Sequence, residues 1–424
     1  MNKAITTITA AMTLAIALGA LAEEASEKTV RIENRTELLK HNKDLLPPSL
    51  IGGGMFRLSP SGNRYMYLRQ YPGYKYKLHF GQFKPASTDS PAIWDRALPT
   101  FYCRMTLAGI AWRSDSQRVL FLQEMDITGK EGRRMEPWEM KWDVKNPQFG
   151  RAKHMKLGDK DSTGCTAASY SPDGKTMWAT FSDVKDFKVC GITENVRGRN
   201  RSRILYRSTG RGIHYLVPSP DGKFLSWVET YPMKDNKRVP PDVVVADAKS
   251  GKIVRRITLS AHIPGWLDAK APIWTADSAA ICYGDVVVIN RVWRREVRVT
   301  KLSDKTSRVL ARDSIAIGAV SGGIVLNRGP ACTPMRQFIS SYAAPGSITP
   351  TTNDVIFRPL AAKSEPITLI NNAFAQHVLQ GTIVYSQRNG DDILIMRAKL
   401  KLPPKGKHAA DKSAPNRGKA KKNR

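Results

Sequence analysis

The stretch SYSPDGKTMWAT, from Ser169 to Thr180, sets a tight-turn signal between two short apolar runs. Forty-eight residues further on, VPSPDGKFLSWV, from Val217 to Val228, writes almost the same signal again. Proline presets φ at the start of such a turn, aspartate accepts hydrogen bonds from nearby backbone amides, and glycine supplies the residue with positive φ. The flanking residues, Ala168-Ser169-Tyr170 before the turn and Thr176-Met177-Trp178-Ala179 after it, suit strands. Each copy therefore reads as a β-hairpin whose register is set by its turn.

The chain carries further relatives of this unit. FRLSPSGNRYMYLR surrounds Ser59, IAWRSDSQRVLFLQ surrounds Ser114, and APIWTADSAAICYG surrounds Asp277. Two weaker copies follow: IGAVSGGIVLNR, turning near Gly322, and QHVLQGTIVYSQ, turning near Gly381. The turn positions are Gly62, Ser116, Gly174, Gly222, Ser278, Gly322 and Gly381, at intervals of 44 to 59 residues. A fixed period of this length marks a repeat architecture. More strand signals follow the hairpins, as in the strand-turn-strand segments 242–257, 296–311 and 354–370. Four antiparallel strands per unit make one blade of a β-propeller. The expected fold is all-β, a single propeller of seven blades, or six if the weak unit at 313–370 is an excursion. After Asp392–Met396 the chain enters a basic tail with no fourth strand, whereas Lys28–Glu33 is a strand without a blade. The N-terminal strand is therefore expected to complete the last blade and close the ring, which removes two exposed edges.

The SPDGK unit, with an aromatic or apolar residue before it and an apolar strand after it, resembles the repeat of TolB-like, WD-repeat-like bacterial β-propellers. The resemblance spans about Lys28 to Leu400, is strong in two copies and weaker in the others, and speaks to fold more than to function. It implies protein contacts in the bacterial periplasm.

Of the 424 residues, the first 22 read as a signal peptide. Lys3 precedes an apolar run from Ala4 to Leu21, Ala20-Leu21-Ala22 fits a cleavage site, and Glu23 and Glu24 follow at once. Residues 23–402 are assigned to the propeller and 403–424 to a disordered basic extension. The protein is accordingly expected to be periplasmic or secreted. Sixty-seven Lys and Arg against 37 Asp and Glu leave a net charge of +30. The last 28 residues hold eleven of those cations and one acid, about a third of the excess. Such a balance favours anionic partners, and export argues against nucleic acid among them. Cys103, Cys165, Cys190, Cys282 and Cys332 show no CxxC spacing and read as small buried hydrophobes, with Cys165 and Cys190 the nearest pair for a disulfide.

No G-x-S-x-G elbow, P-loop or HExxH occurs, and no catalytic, cofactor or metal residue is assigned. Asp159–Gly164 resembles the start of a calcium loop, but Tyr170 stands where its last carboxylate belongs. His214, His262 and His377 are candidates for lining the channel. Metal-dependent oligogalacturonate lyases resemble this chain in being seven-bladed and TolB-related, yet their clustered Q-x-x-H-x-H pattern is absent. Tyr65, Tyr67, Tyr71, Tyr74, Tyr76 and Phe80 interleave with cations, as a stacking platform would, but read better as a hairpin turning at Tyr71–Tyr74. Trp138 and Trp142 are expected on a long loop of the second unit. The resulting expectation is an exported, monomeric, non-catalytic propeller that binds an acidic protein or peptide. The alternative is a metal-dependent lyase or binder acting on anionic polysaccharide.

Overall fold

The structure is a computed structural model. It describes residues 30–42, 56–71, 75–83, 92–97, 111–126, 133–143, 148–149, 153–155, 164–182, 190–196, 202–209, 212–232, 234, 239–260, 271–290, 292–329, 353–361, 364–390 and 392–402. The signal-peptide, calcium-loop and basic-tail assignments, with His262, Cys103 and Cys332, lie outside the described residues.

Strand β1 (Arg31–Asn42) comes first in the chain but belongs to the last sheet. Blade 1 is β2 (Phe56–Leu58), β3 (Arg64–Tyr71), β4 (Lys75–Phe83) and β5 (Ala92–Ala97). Blade 2 is β6 (Ala111–Trp112), β7 (Arg118–Asp126) and β8 (Arg133–Asp143), edged by the short β9 (Gln148–Phe149) and β10 (Lys153–His154). Blade 3 is β11 (Ala168–Tyr170), β12 (Thr176–Ser182), β13 (Cys190–Val196) and β14 (Ser202–Ser208). Blade 4 is β15 (Gly212–Pro218), β16 (Phe224–Thr230), β17 (Asp242–Asp247) and β18 (Ile253–Thr258). Blade 5 is β19 (Ile273–Trp274), β20 (Ala280–Ile289), β21 (Val292–Lys301) and β22 (Arg308–Arg312). Blade 6 is β23 (Ser314–Val320), β24 (Gly323–Arg328), β25 (Asp354–Pro359) and β26 (Ile367–Ile370). Blade 7 is β27 (Ala373–Leu379), β28 (Thr382–Asn389) and β29 (Asp392–Lys401), and β1 pairs with β29 as its fourth strand. Seven antiparallel blades thus form a β-propeller, and residues 313–370 supply a blade rather than an excursion.

The repeated turns are built alike. In blade 3 the Ser171 hydroxyl donates to Asp173 Oδ1 at 2.5 Å, Lys175 N–H donates to the same oxygen at 3.0 Å, and Thr176 N–H donates to Ser171 Oγ at 2.9 Å. Ser219, Asp221, Lys223 and Phe224 repeat these bonds at 2.6, 3.1 and 2.9 Å, and Thr275, Asp277, Ala279 and Ala280 at 2.6, 3.1 and 3.0 Å. All seven turn positions have positive φ, from 57° at Ser116 to 78° at Gly322. At Gly174 an added Cβ would stand 2.7 Å from both Arg113 Cγ and Ser114 Oγ of blade 2, so glycine is required there twice over. The serines at Ser116 and Ser278 accept the backbone strain and use their hydroxyls across a seam. Ser61 N–H donates to Ser116 Oγ at 2.9 Å, and Asp221 N–H donates to Ser278 Oγ at 3.1 Å.

The core is distributed between blades. Leu120, Cys165, Tyr170 and Met177 fill the space between blades 2 and 3. Trp178, Cys190, Ile213 and Trp227 fill that between blades 3 and 4. Val228, Val243, Trp274 and Ile281 join blades 4 and 5, and Cys282, Val297, Ile324 and Leu326 join blades 5 and 6. At the 6–7 seam the Asn327 side chain brackets Ala375, donating to its carbonyl at 2.9 Å and accepting from its N–H at 2.7 Å. Leu38, Val384 and Ile395 of blade 7 pack on Phe56, Leu58 and Tyr65 of blade 1, so the ring closes as expected.

Residues Asn34–Lys399 form one compact unit, which holds the propeller. The other unit comprises Met1–Glu33 with Leu400–Arg424, and its described residues carry ion pairs from Glu33 to Arg31 at 2.8 Å and to Lys401 at 3.7 Å.

One expectation needs correction. Trp138 and Trp142 stand on strand β8, paired with Phe121 of β7 and Phe149 of β9 respectively, and not on a loop. The alternation Trp138, Met140, Trp142 is a strand pattern. Pro137, which has no N–H to donate, obscured it by reading as a breaker, whereas its carbonyl accepts from Met155 N–H at 2.9 Å. Cys165 and Cys190 are free thiols, lying in separate core clusters on opposite faces of blade 3. With Cys282 they are buried, as small hydrophobes are, and burial pushes all three thiols up to about 12.

Candidate functional site

Strands β2, β6, β11, β15, β19, β23 and β27 each stand at the inner end of their sheets. Together they ring the propeller axis, the place where such folds present backbone and side chains to a ligand. Three of them carry a one-residue bulge at the same level: between His214 and Val217, between Ala316 and Gly318, and between Ala375 and His377. A bulge re-aims side chains and increases local twist. In blade 4 it forces Tyr215 to φ 59°, a strained conformation for an aromatic residue.

The structure places His214 and His377 on this inner ring but does not bring them together. His214 is on blade 4, its Nε2 3.4 Å from Thr230 Oγ1. His377 is on blade 7, one bulge further along its strand. Its Nδ1 accepts from Leu58 N–H at 3.1 Å, which bridges blades 7 and 1. Burial first, and the charge of Arg57 second, hold His377 well below the ordinary imidazole range. The ring is therefore neutral near pH 7; Nδ1 is an acceptor and the proton sits on Nε2. Among the described residues, no group of three or more His, Cys, Asp or Glu could hold a metal ion.

Arg57, on β2, is a residue that sequence reading did not single out. Its neighbours Phe56 and Leu58 are 3% and 2% exposed in the cluster at the closing seam, so the Arg57 side chain leaves the opposite face of the strand. Its one hydrogen bond is from Nη1 to the carbonyl of Phe56, at 3.3 Å. Among the described residues no carboxylate pairs with it. Burial lowers its pKa to about 10, still charged at pH 7.

A second arrangement recurs in blades 4 and 5. Ten residues after Ser219 and Thr275 stand Glu229 and Asp285, each opposite another acid on the next strand, Asp242 and Glu296. The four are 0%, 2%, 6% and 2% exposed, in that order. Glu229 accepts from Tyr206 at 2.9 Å and from Ser208, both on the outer strand of blade 3, and pairs with Arg256 at 3.4 Å. Arg256 also meets Asp242 at 3.0 Å. Asp285 accepts from Ser260 N–H at 2.9 Å and from its hydroxyl at 2.7 Å, just beyond the outer strand of blade 4. Arg298 and Arg312 answer Glu296 at 2.8 and 3.1 Å. Each acid pair thus latches its blade to the preceding one, and its charge is met by arginines, Arg256 and Arg312 on outer strands and Arg298 beside Glu296 on β21. Burial and then Glu229 raise the Tyr206 hydroxyl; burial and then Asp242 raise that of Tyr231. Both remain donors at physiological pH.

The tyrosine stretch is the β3–β4 hairpin, with Tyr71 paired to Lys75. Tyr65 and Phe80 are buried at 0% and 2%, so these two are core and not a platform.

No family model matches the chain. No curated protein matches it by sequence. Solved structures similar to it include oligogalacturonate lyase from Vibrio parahaemolyticus, at 9% identity and TM-score 0.52, covering 88% of this chain and 98% of that one. TolB from Acinetobacter baumannii is also similar, at 16% identity and TM-score 0.40, covering 59% of this chain and 54% of its own length. The chain thus matches about half of that TolB. Hydrazine synthase from Kuenenia stuttgartiensis is a third, at 13% identity and TM-score 0.44, covering 82% and 96%. At these identities the likeness extends to architecture alone, and the chain is a seven-bladed β-propeller in fold.

Proposed function

We propose that this protein is an exported, non-catalytic propeller that binds an acidic protein or peptide segment at the bacterial envelope. The observation that supports it best is the inside-out placement of charge. Glu229, Asp242, Asp285 and Glu296 are spent in the interior, while Arg256 and Arg312, which answer them, are 38% and 63% exposed. With Glu194 the described interior holds five acids against three arginines, Arg64, Arg113 and Arg295, which leaves the surface slightly more cationic than the net charge of +30 alone conveys. A rigid ring presenting such a field suits capture and orientation of an acidic chain. The leader at 1–22 would take it through the membrane, and the basic tail at 403–424 would add attraction to anionic surfaces. No described helix is long and apolar enough to cross a membrane.

Action on an anionic polysaccharide, as the name of the Vibrio lyase describes for that protein, is supported less well. His214 and His377 stand on blades 4 and 7, each with its own hydrogen-bond partner. A pull-down from envelope extract at about 50 mM and about 500 mM salt separates the readings, since the Debye length falls from roughly 14 Å to about 4 Å. A defined protein retained at both salts is expected. Capture of polysaccharide alone, with stoichiometric metal in the purified protein, overturns the protein-binding reading.

A further inference from the structure

We propose that the inner edge of the seam between blades 7 and 1 is a carboxylate-binding subsite, in which Arg57 and the Nε2–H of His377 receive an acidic side chain of the partner. The inference rests on the protein-binding reading and names where its acidic segment is read.

Three observations carry it. The first is an imbalance of donors over acceptors. A guanidinium offers five N–H donors, and Arg57 uses one of them, on the carbonyl of the residue before it. Arg57 is partly exposed, and its other nitrogens make no hydrogen bond among the described residues. His377 spends its acceptor on Leu58 N–H, which leaves its remaining ring nitrogen as a donor. The second is position. Both residues stand on inner strands, β2 and β27, at the closing seam, and Arg57 is near enough for its charge to bear on His377. The third is contrast. Arg256, Arg298 and Arg312 each stand on a buried acid, whereas among the described residues Arg57 has none. An arginine held in a desolvating place without a counter-ion costs stability, and ligand sites carry such costs. A planar, forked donor set fits a carboxylate in two-pronged fashion.

The probe is an N-acetylated, C-amidated tetra-aspartate peptide, titrated into the full-length protein by calorimetry. Arg57→Gln is expected to weaken it tenfold or more, and Arg57→Lys to retain part of the affinity. Lys305→Gln, at an exposed blade 5 turn, is expected to leave it unchanged. In the wild type, the His377 imidazole followed by NMR is expected to move to higher pKa on binding, because a nearby anion favours its charged form. Equal affinity in wild type and Arg57→Gln, or a His377 titration that ignores the peptide, overturns the subsite. So does inorganic phosphate binding there while the peptide fails to compete. Should the pull-down return no protein while the peptide still binds through Arg57, the subsite stands and the protein-binding reading falls. Should one protein be captured equally by wild type and Arg57→Gln, and the peptide likewise bind both equally, that reading stands and the subsite falls.

Discussion

At the scale of the residue, the repeated turn assigns a different task to the same position in different blades. Gly174 has positive φ and a neighbouring blade pressed against it, whereas Gly62 has positive φ and open space. Gly62→Ala should therefore cost about 1 kcal/mol of backbone strain alone. Gly174→Ala should cost about 2–3 kcal/mol, since a clash at 2.7 Å adds to that strain. Urea denaturation of the pair measures the difference. Ser116→Ala keeps the strain and loses the bond from Ser61, for about 1 kcal/mol. The turns were legible because proline, aspartate and glycine each have a local conformational reason to be there. The seam bond of Ser116 was not, because its donor lies 55 residues away. The buried thiols are a further test. Cys165, Cys190 and Cys282 should resist iodoacetamide at pH 8 in the native protein and react only on unfolding, as read by peptide mass spectrometry. Their folded pKa values of about 12 exceed that of a free thiol, so between roughly pH 9 and 12 the unfolded chain binds fewer protons than the folded one. Stability then falls with rising pH across that window, and is insensitive to these groups below it.

Elements meet through contacts that a strand-by-strand reading cannot see. The acid pair Glu229 and Asp242 exists only because β16 and β17 adopt one register, and the hydroxyl donors to Glu229, Tyr206 and Ser208, come from another blade. Sequence showed two acids thirteen residues apart; the sheet made them neighbours. Arg256→Met should destabilise by about 2–4 kcal/mol, somewhat less than a fully enclosed pair would lose, because Arg256 is partly solvated. Asn327→Leu, which strips Ala375 of both its partners, should cost about 2–4 kcal/mol and loosen the 6–7 seam. Hydrogen exchange on β24 and β27 would show where the loss falls. Strand β8 hid behind Pro137, and Arg57 hid because FRLSPSG is accounted for by its turn, with nothing local to mark the arginine as lacking a counter-ion.

The whole ring was legible from periodicity, since seven units of one kind have few other ways to bury their faces, and both unmatched ends pointed to each other. Deleting residues 30–42 is expected to lower the melting temperature and to expose the β29 edge, giving concentration-dependent self-association in light scattering. The pairing of β1 with β29 also sets a clock. β1 ends at Asn42 and β29 begins at Asp392, so the strand made first waits some 350 residues for its partner. At about 5–20 residues per second that is roughly 20–70 s of synthesis. A nascent chain cannot lock prematurely, and a prematurely terminated one never locks. The circle can close only once β29 has been made, so a chain that stops short of it announces itself to proteases by the edge it still offers.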